Sequence, residues 1–417
     1  MKFSVITPSH RLTHIHELYE TIKSQTYPNW EWILYLNGDA VEDQVNLSDD
    51  IKNDNRVRIV TDKSGNTNVG YLKNKAFRLG KGDILVEMDH DDLLTPNCLE
   101  KLHEAYQDEE IGFVYSDNAK LPMNGKFTPY NPACGWTYDM FNWKNDCPLY
   151  HMHSFEPSAA AMAFIWYMPD HVRSWRKKVY HNVGGHDPLL SVLDDQDLIV
   201  RTYLKTKFKF INEVLYIYRI TGENTWLERN QIIQTETVNM FHRYGQKLAE
   251  RDAELNGLRL LDIGGGIDGR KGYETVDMEG ADIICDLNDG IPVPDNSVGV
   301  INASHVLEHL KDPLKSMTEI YRVLADGGWA FIDVPSTDGR GAWMDPTHVS
   351  FWNQNSFLYY TRQSQARYIR NNAVRFQDFR CQTHFPGKWW QDNNIPVVTV
   401  WLRAIKSAKR RPHLIHI

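Results

Sequence analysis

The stretch ILVEMDHDDLL, residues 84–94, predicts a buried strand that runs directly into three carboxylates, Asp89, Asp91 and Asp92. Carboxylates this close together repel one another unless a cation or a hydrogen-bond donor neutralises them. Oxygen-bound divalent cations are also the means by which proteins hold diphosphates. We therefore expect a metal-assisted site at the end of this strand. An alternative interpretation is an acid-rich turn that only caps a helix near Pro96.

Strand and helix patterns alternate on both sides of this stretch. Apolar runs predict strands, at residues 3–7, 32–36, 57–60, 83–88 and 210–218. Helical patterns lie between them, at residues 14–24, 74–79 and 194–206. This alternation predicts a mainly parallel sheet with helices on its faces, and such sheets bind ligands at the carboxyl ends of their strands. Residues 122–169, rich in Trp, Tyr, His and Pro, are expected to be irregular.

The same alternation resumes after a polar segment that favours a helix. Further strands are expected at residues 259–263, 273–276, 283–285, 299–302, 329–334 and 397–403. The expected fold class is therefore α/β, with two tandem Rossmann-like domains joined by a helix. The expected boundaries are 1–226 for the first domain, 227–256 for the connecting helix and 257–417 for the second domain.

Composition excludes several classes of protein. The 417 residues suit two or three domains, and the formal net charge of −8 argues against a nucleic-acid partner. The five cysteines are widely spaced and form no CxxC pair, so neither a zinc site nor a disulfide framework is expected. No apolar run reaches the roughly 18 residues of a transmembrane segment, and the N-terminus lacks the apolar region of a secretory signal. We expect a cytoplasmic location.

Five segments, in this order, resemble the family 2 glycosyltransferases of the GT-A fold. They are ITPSH at 6–10, SQTYPNWEWILYLNGD at 24–39, NVGYLKNKAFRLGKGD at 68–83, MDHDD at 88–92 and GGHDPLLSVLDDQDLIVR at 184–201. The resemblance implies inverting transfer of a hexose or deoxyhexose from a nucleotide sugar, with Mg²⁺ or Mn²⁺ on the diphosphate. It also implies a set of residues that bind the nucleotide sugar: Pro8, Ser9, Asn37, Gly38, Lys73, Asn74 and Asp89.

The resemblance further assigns Asp91 as the direct metal ligand, with Asp89 nearer the ribose and diphosphate, and Asp195 as the base. The adjacent acid, Asp194, is expected to raise the pKa of Asp195 towards neutrality, although Asp194 equally suits a helix N-cap. Asp197 and Arg201, four residues apart, are expected to pair on one helix face.

Two positions depart from the family pattern. The second strand ends in Asn37 where the family usually has Asp, which leaves the identity of the nucleotide open. Ile220 follows Tyr218-Arg219 where members often have a His, so a possible metal or phosphate contact is missing.

A glycine turn, LLDIGGG at residues 260–266, opens the second unit, and Asp277 closes the next expected strand. The glycine turn and Asp277 would, by themselves, also suit a site for a nicotinamide cofactor. The number of residues between them is, however, short for a dinucleotide-binding unit. Residues 286–335, with LEHL at 307–310, resemble the class I S-adenosylmethionine-dependent methyltransferases. The resemblance implies S-adenosylmethionine as cofactor and a set of residues that bind it: Asp262, Gly264, Gly265, Gly266, Asp277, Asp286 and Leu287.

Three histidines are candidate bases for methyl transfer to a hydroxyl: His305, His309 and His348. For each of them a structural role is the alternative, and Glu308 and His309 also suit the capping and packing of a helix. We prefer His348, in the loop at 345–352, with His305 as the second candidate.

Together these patterns predict a bifunctional enzyme of glycan assembly. Its partners would be a nucleotide-sugar donor and a glycan or lipid-linked glycan acceptor. Two alternatives stay open. In the first, one of the two domains is only a binding module. In the second, the methyl domain acts on an acceptor other than a glycan.

Overall fold

The computed structural model describes residues 1–123, 125–164, 168–221, 229–370 and 373–412. The chain divides into two compact units, Met1–Leu248 together with the chain end from Arg411, and Ala249–Arg410. The division falls inside the helix Asn230–Leu255, which covers most of the segment expected to connect the domains. The expected boundary after residue 226 lies outside the described residues, and the domain limits stay predictions.

Within the described residues, the first unit contains a sheet of ten strands. They are β1 Phe3–Ser9, β2 Trp30–Leu36, β3 Val57–Thr61, β4 Ile84–Glu87, β5 Leu93–Leu94, β6 Ile111–Pro122, β7 Thr137–Trp143, β8 Cys147–His153, β9 Arg173–Arg176 and β10 Lys207–Ile220. Their order is β3-β2-β1-β4-β9-β6-β10-β5, with the hairpin β7–β8 attached to β6. The first four neighbours pair in parallel, and β9 runs antiparallel between β4 and β6.

Helices cover this sheet, and their apolar faces pack on its core. They are Ile15–Lys23, Ala40–Asp43, Asp49–Asn53, Val69–Phe77, Cys98–Ala105, Ala159–Phe164, Lys177–Asn182 and Asp194–Tyr203. In Ile15–Lys23, for example, Ile15, Leu18 and Ile22 recur at helical spacing and are fully buried. The chain order of the strands reverses between β1 and β4, which leaves a crevice at their carboxyl ends.

The expectation of an irregular stretch at 122–169 was wrong in part. The structure has the hairpin β7–β8 there, and the helix Ala159–Phe164 follows it. The strands β7 and β8 carry aromatic and polar side chains on both faces, so they lack the apolar–polar alternation that identifies a strand in a sequence.

The second unit has a sheet of seven strands in the part of the chain that the structure describes. They are β11 Arg259–Ile263, β12 Glu274–Asp277, β13 Ile283–Ile284, β14 Val298–Ser304, β15 Leu324–Pro335, β16 Phe376–His384 and β17 Val397–Ala404. Their order is β13-β12-β11-β14-β15-β17-β16, and β17 is antiparallel to both of its neighbours. The sequence analysis missed β16.

The helices of the second unit are shorter, apart from the first of them. They are Pro313–Val323, Gly341–Met344, Leu358–Thr361, Gln363–Ala366 and Lys388–Asp392. The strand order again reverses between β11 and β14, so their carboxyl ends flank a crevice. The α/β class predicted for both units is confirmed. Among the described residues, no helix has both the length and the apolar character needed to cross a membrane.

Candidate active sites

Asp92 is the buried member of the carboxylate cluster after β4. Its Oδ2 accepts a hydrogen bond from the Tyr216 hydroxyl at 2.8 Å, and its Oδ1 accepts one from the backbone N–H of Arg219 at 2.6 Å. Burial, with the nearby charges of Asp91 and Asp89, raises the pKa of Asp92 well above its usual value. Asp92 therefore ties the end of β4 to β10.

Asp89 and Asp91 are more accessible and lie at the crevice. Burial raises the pKa of Asp91, and the charge of Asp89 adds to the effect. Asp89 Oδ2 lies 3.6 Å from Nε2 of His171, and Glu87, Asp89 and His171 each offer a ligand atom within 4.8 Å of the others. The structure thus brings Asp89 together with two residues that the sequence analysis did not select.

His171 stacks on an aromatic neighbour, and its ring nitrogen that faces Asp89 lacks a hydrogen bond among the described residues. Its imidazole stacks on Tyr216 with the ring centroids 4.7 Å apart. Nδ1 lies 3.3 Å from Asp170 Oδ1, whereas the buried Nε2, which faces Asp89, has no hydrogen-bond partner within the described part of the chain. Buried polar atoms of this kind usually have a partner, so the nitrogen that faces Asp89 fits a ligand to a bound cation.

A network of buried charges lies directly behind this cluster. The Glu87 carboxylate is fully buried, and its Oε1 lies 2.5 Å from Lys73 Nζ. Its Oε2 is 3.7 Å from Arg173, which also forms an ion pair with Asp195. Burial would raise the pKa of Glu87, but the charges of Lys73 and Arg173 hold it well below its usual range. Three separate elements are thereby joined at the end of β4.

Lys73 and Asn74, expected to bind the nucleotide sugar, already have protein partners in this structure. Lys73 Nζ lies 3.7 Å from Asp194 in addition to its contact with Glu87. The Asn74 side-chain amide donates to the carbonyl of His186 at 2.6 Å. Both residues therefore hold the helix Val69–Phe77 against the acid-bearing elements.

The expectation of a raised pKa for Asp195 was wrong, because the adjacent acid is not the strongest influence on it. Burial alone would raise the pKa of Asp195, but the charges of Arg173 and Lys73 hold it below its usual range. Asp194 is the acid with the raised pKa, which burial lifts to about 7 despite the opposing charge of Lys73. Asp194 is the first residue of its helix and forms no cap, whereas the predicted pair of Asp197 and Arg201 is present at 2.7 Å.

The remaining predicted nucleotide contacts lie at the carboxyl ends of β1 and β2. Pro8 and Ser9 end β1, and the Ser9 carbonyl accepts the N–H of Asn37 at 2.9 Å. Gly38 follows with φ +54°, a conformation that favours glycine. These residues stand beside the switch between β1 and β4, where a nucleotide is expected.

In the second unit, Asp262 shapes the glycine turn after β11. Its Oδ2 accepts the N–H of Arg270 and its Oδ1 accepts the Asn302 amide, each at 2.7 Å. A Cβ added at Gly265 would lie 2.7 Å from Asp262 Oδ2, so the turn wraps closely around this carboxylate. Asp262 therefore positions the turn.

Asp277 meets the same turn from the end of β12. A Cβ added at Gly266 would lie 3.5 Å from Asp277 Oδ2, so the two border a common space. Asp286 lines a cleft of about 490 Å³, and hydrogen bonds from Asn288 lower the pKa of its carboxyl. Leu287, expected at the adenine, packs within the hydrophobic core of this unit.

The three candidate histidines surround one carboxylate, that of Glu308. His305 Nδ1 lies 3.4 Å from Glu308 Oε1, and Glu308, His309 and His348 form a group with ligand atoms within 4.8 Å. Glu308 is 2% exposed. From the sequence, Glu308 suited the capping and packing of a helix, and the fold places it at the centre of the group.

His305 is more accessible than the preferred candidate, His348. Its side chain is 41% exposed, against 7% for His348, whose Nδ1 lies 3.0 Å from the carbonyl of Ala342. The carboxylate of Glu308, 3.4 Å away, raises the pKa of His305. The backbone of His305 has φ +54°, and its N–H donates to the Asp333 carbonyl at 2.8 Å. Strained backbone of this kind clusters at functional sites.

Two parts of the chain match known protein families. Residues 4–160 match the family described as glycosyl transferase family 2, and residues 237–392 match a methyltransferase domain. The chain combines a family 2 glycosyltransferase domain with a methyltransferase domain. Both matches are to families of transferases, as the sequence motifs predict.

Curated relatives match the glycosyltransferase half. The chain is 25% identical to chondroitin synthase of Escherichia coli over 231 residues, which cover 55% of this chain and 30% of that protein. It is 26% identical to glycosyltransferase GlyG of Streptococcus pneumoniae serotype 4 over 227 residues, 52% of this chain and 70% of GlyG. The match thus spans less than a third of the length of the chondroitin synthase.

Solved structures give a weaker likeness. Staphylococcus aureus TarS 1–349 aligns with a TM-score of 0.42 and 15% identity, over 58% of this chain and 72% of that one. The mannosyltransferase PcManGT of Pyrobaculum calidifontis aligns with a TM-score of 0.42 and 16% identity, over 58% and 63%. At this level the likeness carries no argument about ligands.

Replacing Lys73 tests the buried charges of the glycosyltransferase domain. We expect Lys73→Met to lower the free energy of unfolding by about 3–5 kcal/mol, because it leaves the Glu87 carboxylate without its nearest cation. Urea unfolding of the full chain measures the loss. Lys75→Met, on the exposed face of the same helix, is the control and should change stability by less than about 0.5 kcal/mol. Equal effects of the two substitutions would contradict the network.

Proposed function

We propose that the chain performs two group transfers in glycan assembly. The glycosyltransferase domain moves a sugar from a nucleotide sugar to an acceptor hydroxyl with inversion, assisted by Mg²⁺ or Mn²⁺. The methyltransferase domain methylates a hydroxyl of a sugar or glycan, with S-adenosylmethionine as the methyl donor. The observation that carries the first half is the convergence of Glu87, Asp89 and His171 at the crevice. Asp195 is linked to this group through Arg173, which contacts Glu87.

The residues at the crevice fit a divalent cation. Asp91 has a raised pKa, Asp89 lies at the crevice, and a buried nitrogen of His171 faces Asp89. Carboxylate and imidazole donors of this kind suit Mg²⁺ or, with the imidazole, Mn²⁺. When bound, such an ion supplies the positive charge that offsets the departing nucleoside diphosphate.

Asp195 is the better placed of the two adjacent acids to act as the base. Its side chain is 23% exposed, against 6% for Asp194, which faces Lys73 and His186. Arg173 keeps Asp195 ionised at neutral pH and fixes its orientation. As the acceptor oxygen bonds to the anomeric carbon and the nucleoside diphosphate departs, Asp195 takes the hydroxyl proton, and a single displacement inverts the configuration.

In the methyltransferase domain, the glycine turn and Asp277 fit a nucleoside-bearing donor. The turn at Gly266 approaches the Asp277 carboxylate closely. The Oδ2 atom of Asp277 can accept hydrogen bonds from ribose hydroxyls. S-adenosylmethionine, when bound, supplies a methyl group on a sulfonium. His305 is the proposed base, since it is exposed and its paired carboxylate, Glu308, stabilises the imidazolium that forms.

Exposed aromatic side chains near the histidine group favour a sugar acceptor. Trp343 and Phe351 are 60% and 46% exposed, and their rings stack with centroids 4.4 Å apart. Trp343 adjoins Ala342, whose carbonyl contacts His348. Flat apolar rings with an open face are the usual platform for sugar rings. The other half of the chain resembles a protein named chondroitin synthase, and a glycan acceptor for the methyltransferase domain is consistent with that resemblance.

Two substitutions test the sugar transfer. In a screen of nucleotide sugars with Mn²⁺, we expect Asp91→Asn to abolish nucleotide release, because a cation ligand is lost. Asp195→Asn should lower kcat by about 10²–10⁴-fold with little change in the KM for donor, because only the base is removed. Asp197→Asn, on the same helix, is the control. Full activity of Asp195→Asn would exclude this carboxylate as the base.

The pH dependence of methyl transfer tests the pairing of His305 with Glu308. Activity should fall as the pH decreases through the raised pKa of His305, because the protonated imidazole cannot accept a proton. In Glu308→Gln this fall should move to lower pH, because the group that raises the pKa is gone. His305→Gln should remove the dependence and most of the activity. An unchanged profile in Glu308→Gln would contradict the assignment.

Asp277→Ala tests whether the two sites are separate. We expect a KM for S-adenosylmethionine at least 10-fold higher, because a bidentate acceptor for the ribose hydroxyls is lost. Sugar transfer by the same preparation should be unchanged, and this serves as the internal control for folding. A loss of both activities together would argue against independent sites.

A further inference from the structure

Four side chains of the glycosyltransferase domain form a group that neither proposed reaction uses. Asp117 lies on β6, Asp139 on β7, and His151 and His153 on β8. The two histidines are two residues apart on one strand, so both rings point to the same face of the hairpin. Asp139 is the direct cross-strand partner of His151.

The two carboxylates bracket the two rings. Asp117 Oδ2 lies 2.9 Å from His151 Nε2 and 3.4 Å from His153 Nδ1. On the far side, Asp139 Oδ1 lies 2.9 Å from His151 Nδ1, and Asp139 Oδ2 lies 3.0 Å from His153 Nε2. The ring centroids are 3.9 Å apart. All four ring nitrogens therefore face a carboxylate oxygen.

The four contacts between ring nitrogens and carboxylate oxygens need more protons or positive charge than two neutral histidines supply. A neutral imidazole carries one N–H, so two neutral histidines can donate only two of the four contacts. The other two contacts would set a ring lone pair against a carboxylate oxygen. Asp117 is fully buried, and its Oδ1 already accepts the N–H of Ser154 at 2.6 Å, which leaves Oδ2 to face the rings. Two positive charges, from one divalent ion or two protons, would resolve the conflict.

We propose that this group is a binding site for a divalent transition-metal ion of the Zn²⁺ type, with Asp117, His151 and His153 as ligands. The ligand atoms are Asp117 Oδ2, His151 Nε2 and His153 Nδ1. The three residues offer atoms that all lie within 4.8 Å of one another. Tetrahedral Zn²⁺ with bonds of about 2.0–2.1 Å needs ligand atoms roughly 3.3 Å apart, between the two distances that Asp117 makes.

Asp139 provides the second observation in favour of a metal. It faces the ring nitrogens that do not face Asp117, and one carboxylate reaches both rings. Metal-bound histidines usually donate their other N–H to a carboxylate, which fixes the tautomer and the ring orientation. Two protons would also satisfy the charges, but they would give no reason for both inner nitrogens to converge on a single oxygen. The absence of a CxxC pair does not bear on a site built from His and Asp.

The ion would join the hairpin to the central sheet. Its ligands come from β6 and β8, which also pair through backbone hydrogen bonds. A few residues further along β6, Lys120 pairs with Asp170 at 2.8 Å, and Asp170 lies beside His171 of the crevice. The proposed ion therefore serves to order the part of the domain that borders the transfer site, and it is separate from the cation at Asp91.

Zinc content of the full chain tests the proposal. The Asp91→Asn variant is stripped with a chelator and dialysed against micromolar Zn²⁺, and its metal content is measured by mass spectrometry. We expect one bound Zn²⁺ per chain that is lost when His151→Gln and His153→Gln are added. His16→Gln, an exposed histidine of the same domain, is the control and should retain it. With Co²⁺, the same site should give a visible absorption band that the double substitution removes.

The Asp139→Asn variant keeps all three ligands, so it tests the site even if the double variant loses Zn²⁺ because it misfolds. It should bind Zn²⁺ about 10–100-fold more weakly, since only the outer carboxylate changes. A chelator should lower the Tm of the unsubstituted chain and leave that of the double variant unchanged. A chain that takes up no Zn²⁺, or one whose Zn²⁺ survives both histidine substitutions, would overturn the proposal and leave protons as the compensating charges.

Discussion

The contact between the Glu87 carboxylate and the Lys73 ammonium is the constraint on which the glycosyltransferase site depends. Glu87 is fully buried at the end of β4, and an uncompensated carboxylate there would cost several kcal/mol. The helix Val69–Phe77 and the strand β9 must therefore stay docked, because they deliver Lys73 and Arg173. Docked in this way, Arg173 reaches Asp195 and orients the proposed base. One buried charge thus positions a residue more than a hundred positions away in the sequence.

The methyltransferase domain uses the same device with different partners. Asp262 is 5% exposed, and its two oxygens bind the turn at Arg270 and the neighbouring strand at Asn302. Glu308 is buried beneath His305. In both domains a carboxylate near the end of a parallel strand is held by the protein itself, and the more exposed acids and histidines beside it remain for ligands. The buried carboxylates are therefore positioning residues, and the more exposed side chains are those that can contact a substrate.

The sequence predicted the parts of this arrangement that are local. Carboxylates after β4 and glycines after β11 stand next to their strands, so the strand pattern placed them correctly. His171 and Arg173 were missed because Asp89, Glu87 and Asp195, which they contact, lie in remote segments of the sequence. Glu308 stands within the LEHL motif, but its burial beside the three histidines depends on the fold, which brings His348 to it. The pKa of Asp195 was mispredicted for the same reason, since Arg173 outweighs the adjacent Asp194. The hairpin β7–β8 was not predicted because its strands lack an apolar face.

In the proposed sugar transfer, the acids after β4 bind the diphosphate of the donor through a cation. Anomalous diffraction at the manganese edge, from crystals of the full chain grown with Mn²⁺ and either UDP or GDP, tests it most directly. We expect one strong peak at about 2.2 Å from a carboxylate oxygen of Asp91, in contact with the diphosphate. Nucleotide bound at the crevice with no manganese beside Asp91 or Asp89 would contradict it.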